Sequence, residues 1–205
     1  MDEVEIKFRV NDSAALLERA RRAGFAEVTS PTHEFNTLYD TPDRKLRQRG
    51  QLLRLRQYGG HSILTQKSRP PDENALTDRY KRRIELETEV SDGDIMAQVL
   101  TTLGYGPVFR YEKYRAEWAD GEGHLVLDET PLGTLAELEG EPAWIDRVAE
   151  QLSIHPAEYM TASYGTLFLE WKAATGHPAQ NMTFAEMAVP VPANVPVAVT
   201  PRYNR

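Results

Sequence analysis

The stretch Glu3-Val4-Glu5-Ile6-Lys7-Phe8-Arg9-Val10 alternates charged and apolar side chains with a strict period of two. In a strand that period sends Glu3, Glu5, Lys7 and Arg9 to one face and Val4, Ile6, Phe8 and Val10 to the other. One such stretch describes any half-buried strand, but the pattern recurs along the chain. Leu53 and Leu55 oppose Arg54 and Arg56 in residues 51–57, and Arg83, Glu85, Glu87 and Glu89 share one parity in residues 80–90, with Ile84, Leu86 and Val90 on the other. A chain of this kind predicts a sheet with an apolar face covered by helices and a second face that is charged.

The punctuation between strands sets the order of elements. Asn11-Asp12-Ser13 offers N-cap side chains to an amphipathic helix over residues 13–23 that stops at Gly24. Residues 33–40 read as a strand ended by Thr41-Pro42-Asp43, with a helical turn over 44–48. Gly59-Gly60 turns residues 51–57 back into residues 62–67. Residues 68–78 are rich in breakers and read as a loop. Asp92 caps a helix over 94–103, strands follow over 109–118, 123–128 and 135–140, and helices over 142–152 and 161–174. From His177 onward prolines multiply, so 177–205 is expected to be an extended tail, disordered or lying along the surface of a main domain over 1–176.

Composition narrows the class. The 205 residues are 40% hydrophobic and 27% charged, as in a soluble globular protein, and no apolar run is long enough to span a bilayer. The N-terminus lacks the basic and apolar regions of a secretory signal. With no cysteine there is neither a disulfide nor a thiolate metal site, which suits a reducing cytoplasm. A net charge of −7 argues against general nucleic-acid binding, though not against a local basic pocket.

The charged faces carry both signs: Lys7, Arg54, Arg56, Lys67, Arg83, Lys113 and Arg115, with Glu3, Glu5, Glu85, Glu87, Asp128, Glu137 and Glu139. On an open sheet they would be solvated and of little interest. Inside a closed barrel so many ions would be costly to bury without a ligand. Arg and Lys grip phosphate oxygens, and carboxylates hold hard cations such as Mg²⁺ or Mn²⁺ that bridge to phosphate. Both signs in one cavity therefore point to a metal-bound polyanion. No phosphate-binding P-loop and no dinucleotide fingerprint is present, and the five histidines lack metal-ligand spacing. Tyr164, Leu167, Leu169 and Trp171 read as packing residues of the last helix.

At this point the residues resemble a known family. Glu3-Val4-Glu5-Ile6-Lys7 resembles the N-terminal E-x-E-x-K signature of the CYTH proteins, or triphosphate tunnel metalloenzymes, which include class IV adenylyl cyclases, thiamine triphosphatases and inorganic triphosphatases. The resemblance runs on through Leu53 to Arg56, Leu64 to Lys67, Arg83 to Glu87, the R-x-x-K-x-R of Arg110 to Arg115, Asp128, and Gly133 to Glu139, over about residues 1–172. It implies an α+β fold: an eight-stranded antiparallel closed β-barrel, the triphosphate tunnel, with helices packed outside. Lys7, Arg54, Arg56, Lys67, Arg83, Lys113 and Arg115 would bind the triphosphate, and Glu3, Glu5, Glu85, Glu87, Asp128, Glu137 and Glu139 would hold or orient Mg²⁺ or Mn²⁺. Glu5, Lys7, Arg56 and Lys113 would stand closest to the chemistry. Ser163-Tyr164 is similar to a serine-tyrosine pair in the family's last helix, with packing an equal role.

These expectations describe a metal-dependent triphosphatase, monomeric or homodimeric, acting on tripolyphosphate, thiamine triphosphate or a nucleotide. The rivals are an adenylyl cyclase using the same groups, a non-catalytic polyphosphate- or nucleotide-binding module, and an interaction domain with a solvated charged sheet. Arg110, read as a third cation beside Lys113 and Arg115, leans toward the triphosphatase.

Overall fold

A computed structural model describes residues 2–71 and 79–190. Eight strands close into one antiparallel barrel. They are β1 (Asp2–Arg9), β2 (Ala26–Asp40), β3 (Leu52–Tyr58), β4 (His61–Ser68), β5 (Lys81–Val90), β6 (Gly106–Ala119), β7 (His124–Thr130) and β8 (Gly133–Glu139). Around the barrel they run β1-β5-β4-β3-β2-β6-β7-β8, and β1 closes the ring on β8 through Glu5 opposite Glu139 and Lys7 opposite Glu137. Closure leaves no unpaired edge and makes one face of every strand an interior.

The helices cover the apolar outer face. Helix α1 (Ser13–Arg22) is capped by the Asp12 side chain, which accepts from the Ala15 amide at 2.9 Å. With α4 (Pro142–Gln151) it builds the largest core, in which Leu16, Ala20, Trp144, Ile145 and Val148 meet the outward Ile6, Phe8, Trp118, Leu125 and Leu138. Trp144 is pressed between Gly123 and Gly140, where an added Cβ would come within 2.7 Å of its ring, and its Nε1 donates to Asp120 at 2.8 Å. Helix α3 (Gly93–Thr102), capped by Asp92, packs Leu100 against Leu55 and Tyr39.

Sequence and structure differ at the start of β2 and at the start of the last helix. β2 begins at Ala26 rather than near His33, and register shifts between Glu27 and Thr32 carry the strand through Pro31. The last helix, α5 (Tyr164–Thr175), starts three residues later than the spacing suggests, where Ser163 accepts from the Thr166 amide at 3.1 Å. Residues 177–190, the described part of the stretch read as an extended tail, disordered or lying along the surface, lie against the barrel. Met182 exchanges backbone hydrogen bonds with Arg110 and Glu112, and Met182, Phe184 and Met187 are buried. The remainder of the proline-rich stretch, and most of the loop read at 68–78, lie outside the described residues.

Antiparallel order puts the ends of β2 and β4 and the starts of β3, β5, β6 and β8 on one rim. Helix α5 lies across part of that rim, seating Tyr164, Leu167 and Phe168 on Tyr111, Leu135 and Phe109. The four-residue helix α2 (Lys45–Gln48) borders the same rim, where the buried Asp40 carboxylate accepts from the amides of Leu46 at 2.9 Å and Arg47 at 3.1 Å. No helix among the described residues is long and apolar enough to cross a membrane.

Candidate active site: the charged interior of the barrel

The barrel encloses a cavity of about 1100 Å³. Each strand delivers its inward parity to it. Lys7 comes from β1, Arg54 and Arg56 from β3, Lys67 from β4, Arg83 from β5, and Lys113 and Arg115 from β6, all seven cations that the resemblance implied. Lys7 and Lys113 are 2% and 1% exposed, a depth that no lysine occupies without compensation.

That compensation is a network of carboxylates. Lys113 Nζ donates to Asp128 Oδ2 at 2.9 Å, and Arg115 grips Asp128 in bidentate fashion at 2.8 and 2.6 Å while reaching Glu137 at 2.7 Å. Lys7 pairs with Glu137, and its ammonium lies 3.8 Å from Glu5. Arg56 bonds Glu87 at 2.8 Å, Arg54 donates to Thr65 at 3.2 Å and to the Tyr111 hydroxyl at 3.3 Å, and Lys67 binds Glu3 at 2.7 Å and Glu85 at 3.1 Å. Burial pushes the Lys7 ammonium down, but Glu137 and Glu5 more than reverse it and hold it well above the ordinary lysine range. For Glu137 burial acts upward, yet Lys7, Arg115 and Lys113 keep it well below the carboxylate range.

The carboxylates fall into two populations. Asp128, Glu137, Glu85 and Glu87 are committed to cations. Glu139 is not: burial, together with Glu3, Glu5 and Glu137 nearby, pushes its carboxyl up to about 7. Glu5 stands between the two, held at about 2 because Lys81 and Lys7 outweigh its burial. The seven acids that the resemblance implied for metal are thus spread around the wall. Among the described residues no three are gathered into a preformed metal cluster. Glu3 is held by Lys67 and Glu5 by Lys81, which leaves Glu139 as the acid of the β1–β8 seam for which no ion pair is found among the described residues.

Several interior residues were not singled out from sequence. Glu34, fully buried on β2, lies 3.5 Å from Lys113, 3.8 Å from Arg115 and 3.9 Å from Arg56. Burial would raise its pKa, but those cations and Arg54 hold it well below the usual range. Its parity with Asn36, whose amide donates to it at 2.9 Å, was the available signal. Lys81 continues the inward parity of β5 and bonds Glu5 at 2.5 Å. Tyr164, read as packing from spacing and as half of a serine-tyrosine pair from the resemblance, has its ring 4.7 Å from both Lys7 and Lys113, and its hydroxyl donates to Asp128 at 2.5 Å. Arg110 is the converse case. Three residues from Lys113 on a strand is the opposite face, and its amide bonds Asn181 at 2.8 Å outside the barrel, which removes the lean toward a triphosphatase that had rested on it.

Comparison with known proteins adds the context of this geometry. The CYTH domain family profile matches residues 1–160. Adenylate cyclase CyaB of Aeromonas hydrophila is 27% identical over 176 residues, covering 80% of this chain and 87% of the relative. A Methanocaldococcus jannaschii protein named provisionally as an adenylate cyclase is 28% identical over 156 residues, covering 74% and 86%. Among solved structures, a Vibrio parahaemolyticus protein with the same provisional name superposes with a TM-score of 0.68 at 26% identity, over 82% of this chain and 97% of that one. A Hippeastrum protein shares the fold with a TM-score of 0.58 at 22% identity, over 82% and 96%.

Proposed function

The chain belongs to the CYTH domain family, and from that membership and its charged interior we propose that it is a divalent-metal-dependent triphosphatase that hydrolyses a phosphoanhydride bond of a triphosphate held inside the barrel. The observation that carries this reading is the convergence of Lys7, Arg54, Arg56, Lys67, Lys113 and Arg115, from four strands, on one closed cavity. Every one of them is held by a carboxylate, so an incoming triphosphate exchanges anion for anion and meets donors already in position. Arg54, Arg56 and Arg115 present planar forks to phosphoryl oxygens, and Lys7 and Lys113 add point charges beneath them. Glu34 and Asp128 stay behind as counter-ions that keep the cations from recoiling.

Glu3, Glu5 and Glu139 would hold Mg²⁺ or Mn²⁺, with Glu139 giving up its proton as the ion enters. Such an ion supplies Lewis-acid polarisation of phosphoryl oxygens and activation of water. The Tyr164 phenol, kept protonated by burial and by Asp128 and Glu137, can turn its hydrogen from Asp128 to a phosphate oxygen.

The second reading is an adenylyl cyclase, favoured by the names of the relatives from Aeromonas and Methanocaldococcus. It uses the same cations, with the ATP 3′-hydroxyl attacking the α-phosphorus. Against it stands the Hippeastrum neighbour, which is described as an adenylyl cyclase candidate with a dominant triphosphatase activity. Product analysis by ³¹P NMR separates the two, with tripolyphosphate, thiamine triphosphate and ATP each incubated with Mg²⁺ and with Mn²⁺. Orthophosphate release is expected. Pyrophosphate with a cyclic phosphodiester from ATP would make the protein a cyclase, and intact substrates throughout would make it a binding module.

A further inference from the structure

Helix α5 is hung from the barrel at two points, and at both a strand of the ring falls short of its neighbour. Strand β5 meets β1 only as far as Glu5, opposite Lys81; the β1 edge beyond is taken by Met160, which exchanges backbone hydrogen bonds with Lys7 at 3.1 and 2.7 Å. Strand β7 meets β6 only from Tyr114 onward, opposite Glu129. The β6 edge before it is taken by Met182, whose amide donates to the Arg110 carbonyl at 3.0 Å and whose carbonyl accepts from the Glu112 amide at 3.1 Å. Each is a single-residue bridge, one before α5 and one after it. Lys7 and Tyr111, the residues so bridged, both line the cavity.

The second attachment is made by residues that follow those matched by the family profile. The Glu186 carboxylate ties residues 180–186 into a turn, accepting from the amides of Gln180 and Asn181, both at 2.9 Å, and from the Asn181 side chain at 2.6 Å. Asn181 Oδ1 is thereby left to accept from the Arg110 amide at 2.8 Å, and the Glu112 carboxylate accepts from the Phe184 amide at 2.8 Å. Arg110 and Glu112 alternate with Tyr111 and Lys113, so a grip on the first pair from outside sets the backbone that carries the second pair inward. Met182 is fully buried in one apolar cluster with Tyr111, Tyr164, Leu167 and Phe168. Tyr164 stacks on Tyr111, with ring centroids 5.6 Å apart, and opens α5, so a small swing of that helix would carry its hydroxyl off Asp128.

We propose that residues 177–189 are a strap that positions the cationic interior, and that Met182, seated between β6 and α5, is the positioning residue through which the strap holds Tyr164 on Asp128. This deepens the triphosphate reading above, from which it takes its ligand: the strap sets where the Tyr164 hydroxyl meets a phosphate oxygen.

The test is a double-mutant cycle on the full chain, with Met182→Ala, Tyr164→Phe and both together, read in two ways. Without ligand, NMR of protein labelled with ¹³C-tyrosine identifies the Tyr164 signal by its disappearance in Tyr164→Phe. In Met182→Ala that signal is expected to move toward those of exposed tyrosines, and in the volume-conserving Met182→Leu to return. With tripolyphosphate in EDTA, calorimetry is expected to show about tenfold weaker binding in Tyr164→Phe, the worth of one charge-assisted hydrogen bond. Met182→Ala should lose affinity several-fold on its own and nothing further when added to Tyr164→Phe. If Met182→Ala fails to fold, Glu186→Ala, which loosens only the exposed turn, takes its place in the cycle. An unmoved Tyr164 signal, an unchanged affinity, or an equal loss in both backgrounds overturns the positioning role, because Met182 would then serve packing alone. Wild-type protein that does not bind tripolyphosphate overturns the triphosphate reading, and the Tyr164 signal then decides the strap by itself.

Discussion

Glu139 and Glu5 sit opposite each other across the β1–β8 seam and titrate in opposite directions. Glu139 keeps its proton up to about 7 in the fold against 4.5 when free, so the folded state holds the extra proton and stability falls as pH rises from about 4.5 through 7. Glu5 is held at about 2, so its contribution is full above 4.5 and is lost only on acidification toward 2. The expected outcome is a melting temperature that declines by a few degrees between pH 5 and pH 7.5, and a flatter profile in Glu139→Gln. At pH 7.5 saturating Mg²⁺ should raise the melting temperature of the wild-type protein more than that of Glu139→Gln, because the ion offsets the charge of a carboxylate that has largely lost its proton. An equal rise in both would take Glu139 out of the ion's surroundings. Calorimetric melts over this pH range read both effects.

Trp144 shows how an element is held to the sheet. Helix α4 reaches the barrel by laying one indole ring between two residues without side chains, so Gly140→Ala should cost about 1–3 kcal/mol, the penalty of overpacking a filled core. Urea unfolding measures it, and a loss below 0.5 kcal/mol would mean that the ring shifts freely. At this scale the sequence was informative wherever one periodicity governed a whole segment. The caps at Asp12 and Asp92, the Gly59-Gly60 hairpin and the inward cations of β1, β3, β4 and β5 all followed from it. It misled where two periodicities met. Arg110 was grouped with Lys113 by motif spacing although three residues on a strand change face. Tyr164 was assigned to packing by helical spacing, yet as the first residue of α5 it points past the helix into the cavity. Glu34 was passed over because its parity with Asn36 is a faint signal on a strand without obvious amphipathicity, and the partners that give it meaning come from β3 and β6.

For the molecule as a whole, closure turns a two-faced sheet into a vessel, and alternation alone cannot distinguish the two. A ligand that binds only the closed form stabilises it by mass action. Tripolyphosphate at a hundred times its dissociation constant should therefore add about 2.7 kcal/mol of stability, read as a rise in melting temperature, whereas a solvated charged sheet would show none. Closure also has a temporal side. β1 has β5 and β8 as its neighbours, and Lys7 and Glu137 stand 130 positions apart. During synthesis β1 can pair with β5 early, but its other edge must wait, with Lys7 lacking Glu137, until β8, the last strand, has left the ribosome. Contacts so distant along the chain make for slow folding, so the seam between β1 and β8 is the place where a nascent chain of this kind is longest exposed to chaperones and to proteases.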